Sequence, residues 1–172
     1  LRGNEIQQLY ICSQLVKALK ELEAHGSISH NHEILVIPSV NRFSMNVGKR
    51  FWPTDNSDIN RAFPGDVNGD TTKQIAGTLF DRIKGYSYGI HFASFYMPGD
   101  FIPHVKMMDT GFQSASLANL FGLQYVVIRK PKPMDTVTLN YNWQMNGTNA
   151  FSIYTNSTDM IDEKSARQAV SS

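Results

Sequence analysis

Long apolar runs are missing from this chain of 172 residues. None approaches the roughly 20 residues that a bilayer-spanning helix needs, and the start has no signal-peptide form. Excess charge is missing too. The formal net charge is +1, which gives no general attraction to nucleic acid or to an anionic membrane surface. Cysteine occurs once, at Cys12; an intrachain disulfide is excluded, and inside a helical apolar pattern the thiol reads as a small core residue. These absences point to a cytoplasmic protein that binds neither nucleic acid nor membrane. The two sequons, starting at Asn146 and Asn156, matter only in a secreted protein. There is no phosphate-cradling glycine loop, GxSxG elbow or zinc-knuckle spacing.

What is present is a globular composition, 41% hydrophobic and 11% aromatic, in a length suited to one domain. Residues 1–172 are therefore expected to form a single α/β domain. The abrupt start and the helical end read as the cut edges of a longer product, with N-terminal strands and a C-terminal region missing.

Apolar residues at Leu9, Cys12, Leu15, Val16, Leu19 and Leu22 have the spacing of a helix over residues 4–24, stopped by Gly26. The run ILVIPSV, residues 34–40, predicts a buried strand. Residues 41–70 are polar, aperiodic and long enough to be functional. Thr71 or Thr72 is expected to cap a helix through Ile83, and YSYGIHFAS to form a second strand. The proline-broken segment to Lys106 reads as loop, residues 113–121 as a short helix, YVVIRKP and AFSIYT as further strands, and residues 162–170 as a closing helix. Strands alternating with helices predict an α/β sandwich around a largely parallel sheet, with the chemistry on loops at the carboxyl ends of strands.

Two groups of residues could carry chemistry. Glu5, in the turn RGNE before the first helix, and His91, in the strand YGIHFAS, are metal-ligand types. Two are fewer than a catalytic zinc takes, and alone they read first as a carboxylate favoured by the helix dipole and a core or strand-end histidine with a hydrogen bond. The long loop holds Arg42, Arg50 and Arg61, with Asn60 beside Arg61. Planar guanidinium groups suit bidentate capture of a carboxylate or phosphate, and the competing expectation is that Asp55 and Asp58 pair locally with these arginines. DVNGD has the wrong spacing for an EF-hand and reads as a turn; HNHE reads as a surface lead into a strand.

In order along the chain, RGNE, IPSVNRF, Arg50, DINRAFPG, IHFAS and FSIYTN resemble the motif series of the succinylglutamate desuccinylase and aspartoacylase family, relatives of the zinc carboxypeptidases. The match at Asp58 to Gly65 is the most specific. The resemblance implies a three-layer α/β/α sandwich with a mostly parallel mixed sheet, and a zinc-dependent amidohydrolase acting on a small carboxylate-bearing N-acyl amino acid or peptide. Carried over, Glu5 and His91 would be zinc ligands, Arg50 the polariser of the scissile carbonyl, and Asn60 with Arg61 the carboxylate clamp. Three positions depart from the family pattern. Arg2 stands where a histidine ligand is expected, Gly89 replaces an aspartate, and Tyr154 stands where a general-base glutamate is expected.

Two functional expectations follow. One is an active zinc hydrolase that takes a third ligand from elsewhere, with His104 of the proline-rich loop a candidate. The other is a catalytically silent relative that binds a carboxylate or peptide ligand through Arg2, Arg50 and Arg61, with Tyr154 also lining the ligand site.

Overall fold

The computed structural model describes residues 1–172 except Tyr96, Pro98 and residues 157–159, so Ser157 and Thr158 of the second sequon lie outside the described residues. The first helix, α1, spans Ile6–Ala24 and is followed by α2 over Arg42–Asn46, α3 over Thr71–Ile83, α4 over Leu139–Met145 and α5 over Glu163–Ser171. Four strands, β1 (Tyr88–Ser94), β2 (His104–Met108), β3 (Tyr125–Arg129) and β4 (Asn149–Thr155), form a sheet of order β1-β4-β2-β3. β1 pairs β4 in parallel, β2 pairs β3 in parallel, and β4 meets β2 antiparallel. The sheet is thus mixed, and the carboxyl ends of β1 and β4 lie beside the start of β2.

Side chains alternate across the sheet, and this alternation sorts apolar from polar groups. One face presents Phe92, Phe151, Ile153, Val105 and Met107 to Ile11 of α1, Ala166 and Ala169 of α5, and Ala118 of a 3-10 turn over Ala115–Phe121. The opposite face carries Gly89, His91 and Ala93 of β1, Ala150, Ser152 and Tyr154 of β4, His104 and Lys106 of β2, and Arg129 of β3, as the register requires. At its β1 end this second face is covered by α3 and α4, where Phe80, Ile83, Leu139 and Trp143 pack with Ala150, Ile59 and Phe63. Helices on both faces make a three-layer α/β/α arrangement. Among the described residues no helix is long and apolar enough to cross a membrane.

Several local expectations need correction. Residues 34–40 form no strand. Ile34 and Leu35 are exposed, and only Ile37 and Val40 lean on the core beside α3. β-Branched residues fit a pleated surface only when a neighbouring strand supplies it, and the described ladders of β1 run to β4 alone. The segment through Lys106 is not all loop: after its prolines the chain enters β2 at His104. The cap of α3 is Asp70, whose carboxylate accepts from Lys73 N–H at 2.9 Å, so Thr71 and Thr72 lie inside the helix. The long connection 41–70 contains α2 and a 3-10 turn over Ile59–Arg61, and α4 lies where no helix is legible in the apolar spacing. Cys12 is buried, as a core residue should be.

Candidate functional site

The turn before α1 is pinned to the loop that follows α2. Gly3 N–H donates to the Arg50 carbonyl at 3.2 Å, and a Cβ on Gly3 would lie 2.3 Å from both Lys49 O and Ser44 Cβ. Only a residue without a side chain fits there. This contact places Arg2 and Glu5 against the 3-10 turn that carries Asp58, Asn60 and Arg61.

Arg2 is committed to Asp58. Its Nε donates to Asp58 Oδ1 at 2.9 Å and its Nη2 to Oδ2 at 2.8 Å, the two-pronged geometry of the strongest arginine–carboxylate pairs. Asp58 Oδ1 also accepts from Asn60 N–H at 3.0 Å, which holds the carboxylate in place as the cap of its own turn. On its other side Arg2 Nη1 lies 3.7 Å from Glu5 Oε1, with the Arg2 side chain only 14% exposed and that of Glu5 3%. Glu5 Oε2 accepts from Arg2 N–H at 2.8 Å.

His91, on the polar face of β1, is buried, and its Nε2 has no hydrogen-bond partner among the described residues. Burial pushes its pKa well below the ordinary histidine value, with Arg2 adding to the effect and Glu5 and Asp58 opposing it. Glu5 is buried, and its carboxylate is held by the Arg2 N–H. The four side chains Arg2, Glu5, Asp58 and His91 therefore form one electrostatic cluster.

This donor set does not fit a catalytic zinc. Such a site takes three protein ligands and keeps one position open, whereas no group of three His, Cys, Asp or Glu residues among the described ones could hold a metal ion. Asp58 has both oxygens on Arg2, and the guanidinium lies beside Glu5. His104 is not drawn into the cluster: it pairs across the sheet with Tyr154, stacks on that ring at 5.2 Å, and has its Nδ1 3.0 Å from the Ile102 carbonyl. The aspartate missing at position 89 has no space to occupy either, since a Cβ on Gly89 would lie 2.8 Å from ring carbons of Trp143.

Further along the polar face the character changes from anionic to cationic. Tyr154 is half-buried, and burial raises its phenol pKa; Arg2, Arg129 and Arg61 oppose that rise and Glu5 adds to it. A phenol held protonated is a hydrogen-bond donor rather than a base. Lys106 sets its ammonium over the Tyr154 ring, 5.1 Å from the centroid, and makes no ion pair among the described residues. Burial lowers its pKa, Arg129 and Arg61 lower it further, and Asp135 opposes them. Arg129 itself is bound two-pronged by Asp135, at 2.6 and 2.7 Å. Arg61 is exposed, with Nη1 donating to the Met134 carbonyl at 2.8 Å, and Asn60 Oδ1 accepts from Leu139 N–H at 3.3 Å, which ties the turn to the start of α4. Arg50 is half-buried and lies over the Phe51 ring at 5.5 Å.

The structure thus brings Arg2, Glu5 and His91 together, sets Arg61 and Tyr154 in electrostatic reach of one another, and leaves His104 apart from the first group. Asp55 accepts from the Thr72 hydroxyl, at 3.0 and 2.8 Å, while Asp58 takes Arg2 from 56 positions away. Sequence inspection misses Asp58 as the anchor of Arg2 and misses Lys106 and Arg129 altogether. A lysine inside the apolar run HVKMM was the available signal for Lys106.

The sequence pattern described as "Succinylglutamate desuccinylase/Aspartoacylase catalytic domain" matches residues 1–153. An N-alpha-acetyl-L-2,4-diaminobutyric acid deacetylase from Halomonas elongata is 28% identical over 81 residues, 47% of this chain and 22% of that protein. A succinylglutamate desuccinylase/aspartoacylase structure from Rhodobacter sphaeroides superposes with a TM-score of 0.74 at 20% identity, covering 98% of this chain and 49% of that one. An aspartoacylase family protein from Mesorhizobium loti gives 0.76 at 21% identity, over 98% and 54%. The product-bound ectoine utilization protein EutE (DoeB) from Ruegeria pomeroyi gives 0.73 at 21%, over 98% and 51%. The chain spans about half the length of these solved structures and 22% of the deacetylase. With its pattern matched across most of its length and its fold shared, the chain belongs to the succinylglutamate desuccinylase/aspartoacylase catalytic-domain family.

Proposed function

We propose that this domain binds a small carboxylate-bearing amide, of the N-acyl amino acid type, over the polar face of the sheet. The observation that carries this is Lys106, a half-buried ammonium with no ion pair among the described residues, beside Arg129 and Arg61, with Asp135 the one acid the charge balance sets against them. A desolvated cation without a counter-ion is costly, and a ligand carboxylate would relieve that cost. Asn60 is tied to the start of α4, and Arg61 lies in electrostatic reach of both Lys106 and the Tyr154 phenol, which can donate a hydrogen bond. The name of the Halomonas relative, a deacetylase of an N-acetylated amino acid, supports an amide as the ligand.

Calorimetry with N-acetylglycine and its neutral counterpart N-acetylglycinamide tests this. The carboxylate is expected to bind saturably and the amide far more weakly. Lys106→Met keeps the packing of the stem and should weaken carboxylate binding about tenfold, the worth of one charge-assisted hydrogen bond. Equal affinity for the two compounds would sink the proposal.

Hydrolysis of the bound amide is the alternative, and one observation favours it: Glu5 and His91 stand together, with His91 Nε2 unpartnered among the described residues. A zinc route would need a third donor beyond the described residues. Release of free amine from N-acetyl amino acids, abolished by Glu5→Ala, would favour the hydrolase. Binding without turnover would favour the binding protein.

A further inference from the structure

We propose that Arg2 is a built-in cation that takes the place of a divalent metal between Glu5 and His91, and that Asp58 locks it there. The site is thereby independent of metal, and a single substitution, Arg2→His, would turn it into a metal-binding one. This deepens the reading of the polar face as a binding surface, but its test uses metal alone and no ligand.

The geometry supports this at each side chain. A guanidinium cannot lose its proton at any ordinary pH, so Arg2 is a permanent charge. It is not a surface arginine that could swing clear, because its side chain is 14% exposed and gripped by both oxygens of Asp58 at 2.9 and 2.8 Å. Asp58 in turn is held by Asn60 N–H at 3.0 Å. The pair is therefore a rigid strut between the turn before α1 and the 3-10 turn of the long loop. Its outer nitrogen lies 3.7 Å from Glu5 Oε1. A divalent ion shared by Glu5 and His91 would have to sit against that fixed positive charge, with two protein ligands in place of the three that catalytic sites use.

The rest of the cluster has the form of a metal site with one corner exchanged. Glu5 and His91 are both buried, and His91 Nε2 has no partner among the described residues. A carboxylate and an imidazole are donor types that bind metal. A histidine at position 2 would remove the cation, add a third donor and free Asp58 to orient the new imidazole, as carboxylates orient metal-bound histidines.

The experiment titrates zinc, and separately cobalt(II), into the metal-free protein, using calorimetry and the visible absorption of cobalt. Wild type should take up neither ion with Glu5-dependent affinity, and its melting temperature should not change with zinc or chelator. Arg2→His should bind about one zinc per chain at least a hundredfold more tightly than wild type and develop a cobalt spectrum of tetrahedral intensity. Glu5→Gln in the Arg2→His background should abolish both. Stoichiometric zinc on wild type, lost on Glu5→Gln, would overturn the proposal, and so would a folded Arg2→His protein that gains no metal. The wild-type titration decides by itself if Arg2→His fails to fold. Absence of carboxylate binding would defeat the preceding reading and leave this one standing, since no carboxylate ligand enters the titration.

Discussion

Gly89 shows how one residue closes off a chemical option. A side chain there would run into Trp143, whose ring carbons lie 2.8 Å from where its Cβ would be. Gly89→Ala is therefore expected to force the indole aside and to destabilise the fold by about 1–3 kcal/mol, the usual cost of overpacking a core. Urea unfolding checks this; an unchanged midpoint would mean that Trp143 has room to yield. The departures at positions 2, 89 and 154 are legible as residue types set in otherwise matching motifs. Their consequences are not. That Arg2 takes Asp58 rather than solvent depends on a contact 56 positions apart, and that Gly89 leaves its space to Trp143 depends on a helix with no strong apolar signature of its own.

At the scale of elements, the helices were legible where capping and amphipathic spacing agreed. α1, α3 and α5 fall within a few residues of expectation, and Asp70 and Asp162 each accept backbone N–H groups at a helix start. Asp70→Ala should cost about 1 kcal/mol through loss of the cap, read as a fall of about 2–4 °C in melting temperature for a domain of this size. Thr71→Ala should cost less, which separates Asp70 from Thr71, one of the two threonines that the sequence offers as caps. The strands were less legible because a strand is completed by its neighbour. Residues 34–40 have the composition of a strand and no ladder, whereas HVKMM, a short run with a charge at its centre, becomes β2 because β4 and β3 flank it on both sides. α4 was hidden for a related reason: its buried residues include Asn140, Asn142 and Gln144, and Asn140 is paired with Ser152 Oγ at 2.6 Å, so its inward face is partly polar.

For the whole molecule, the clearest pH dependence comes from the pair that ties the end of β3 to the approach of α4. The Arg129 hydrogen bond comes first in holding Asp135 down to about 2, burial opposes it, and the Lys132 N–H adds to it. A carboxylate depressed from its unfolded value of about 3.9 contributes stability that is complete above that value and lost as pH falls toward 2. Arg129→Met should therefore destabilise the protein by about 2 kcal/mol at neutral pH, with the deficit shrinking as pH is lowered from about 4 through about 2, below which Asp135 is protonated in both folded and unfolded states. Denaturant unfolding at a series of pH values measures it, and a deficit independent of pH would show that the pair contributes through packing alone. The sequence by itself determined the α/β class and the amphipathic helices, because local periodicity is written in neighbouring residues, and its resemblance to the family's motifs nominated Arg2, Glu5, Arg50, Asn60, Arg61, His91, His104 and Tyr154 as candidates. Only the tertiary structure decided that Arg2 is locked by Asp58, that Lys106 and Arg129 share a face with Tyr154, and that the sheet turns antiparallel between β4 and β2. Those outcomes depend on which distant segments meet, and a buried charge takes its role from the partner it finds there.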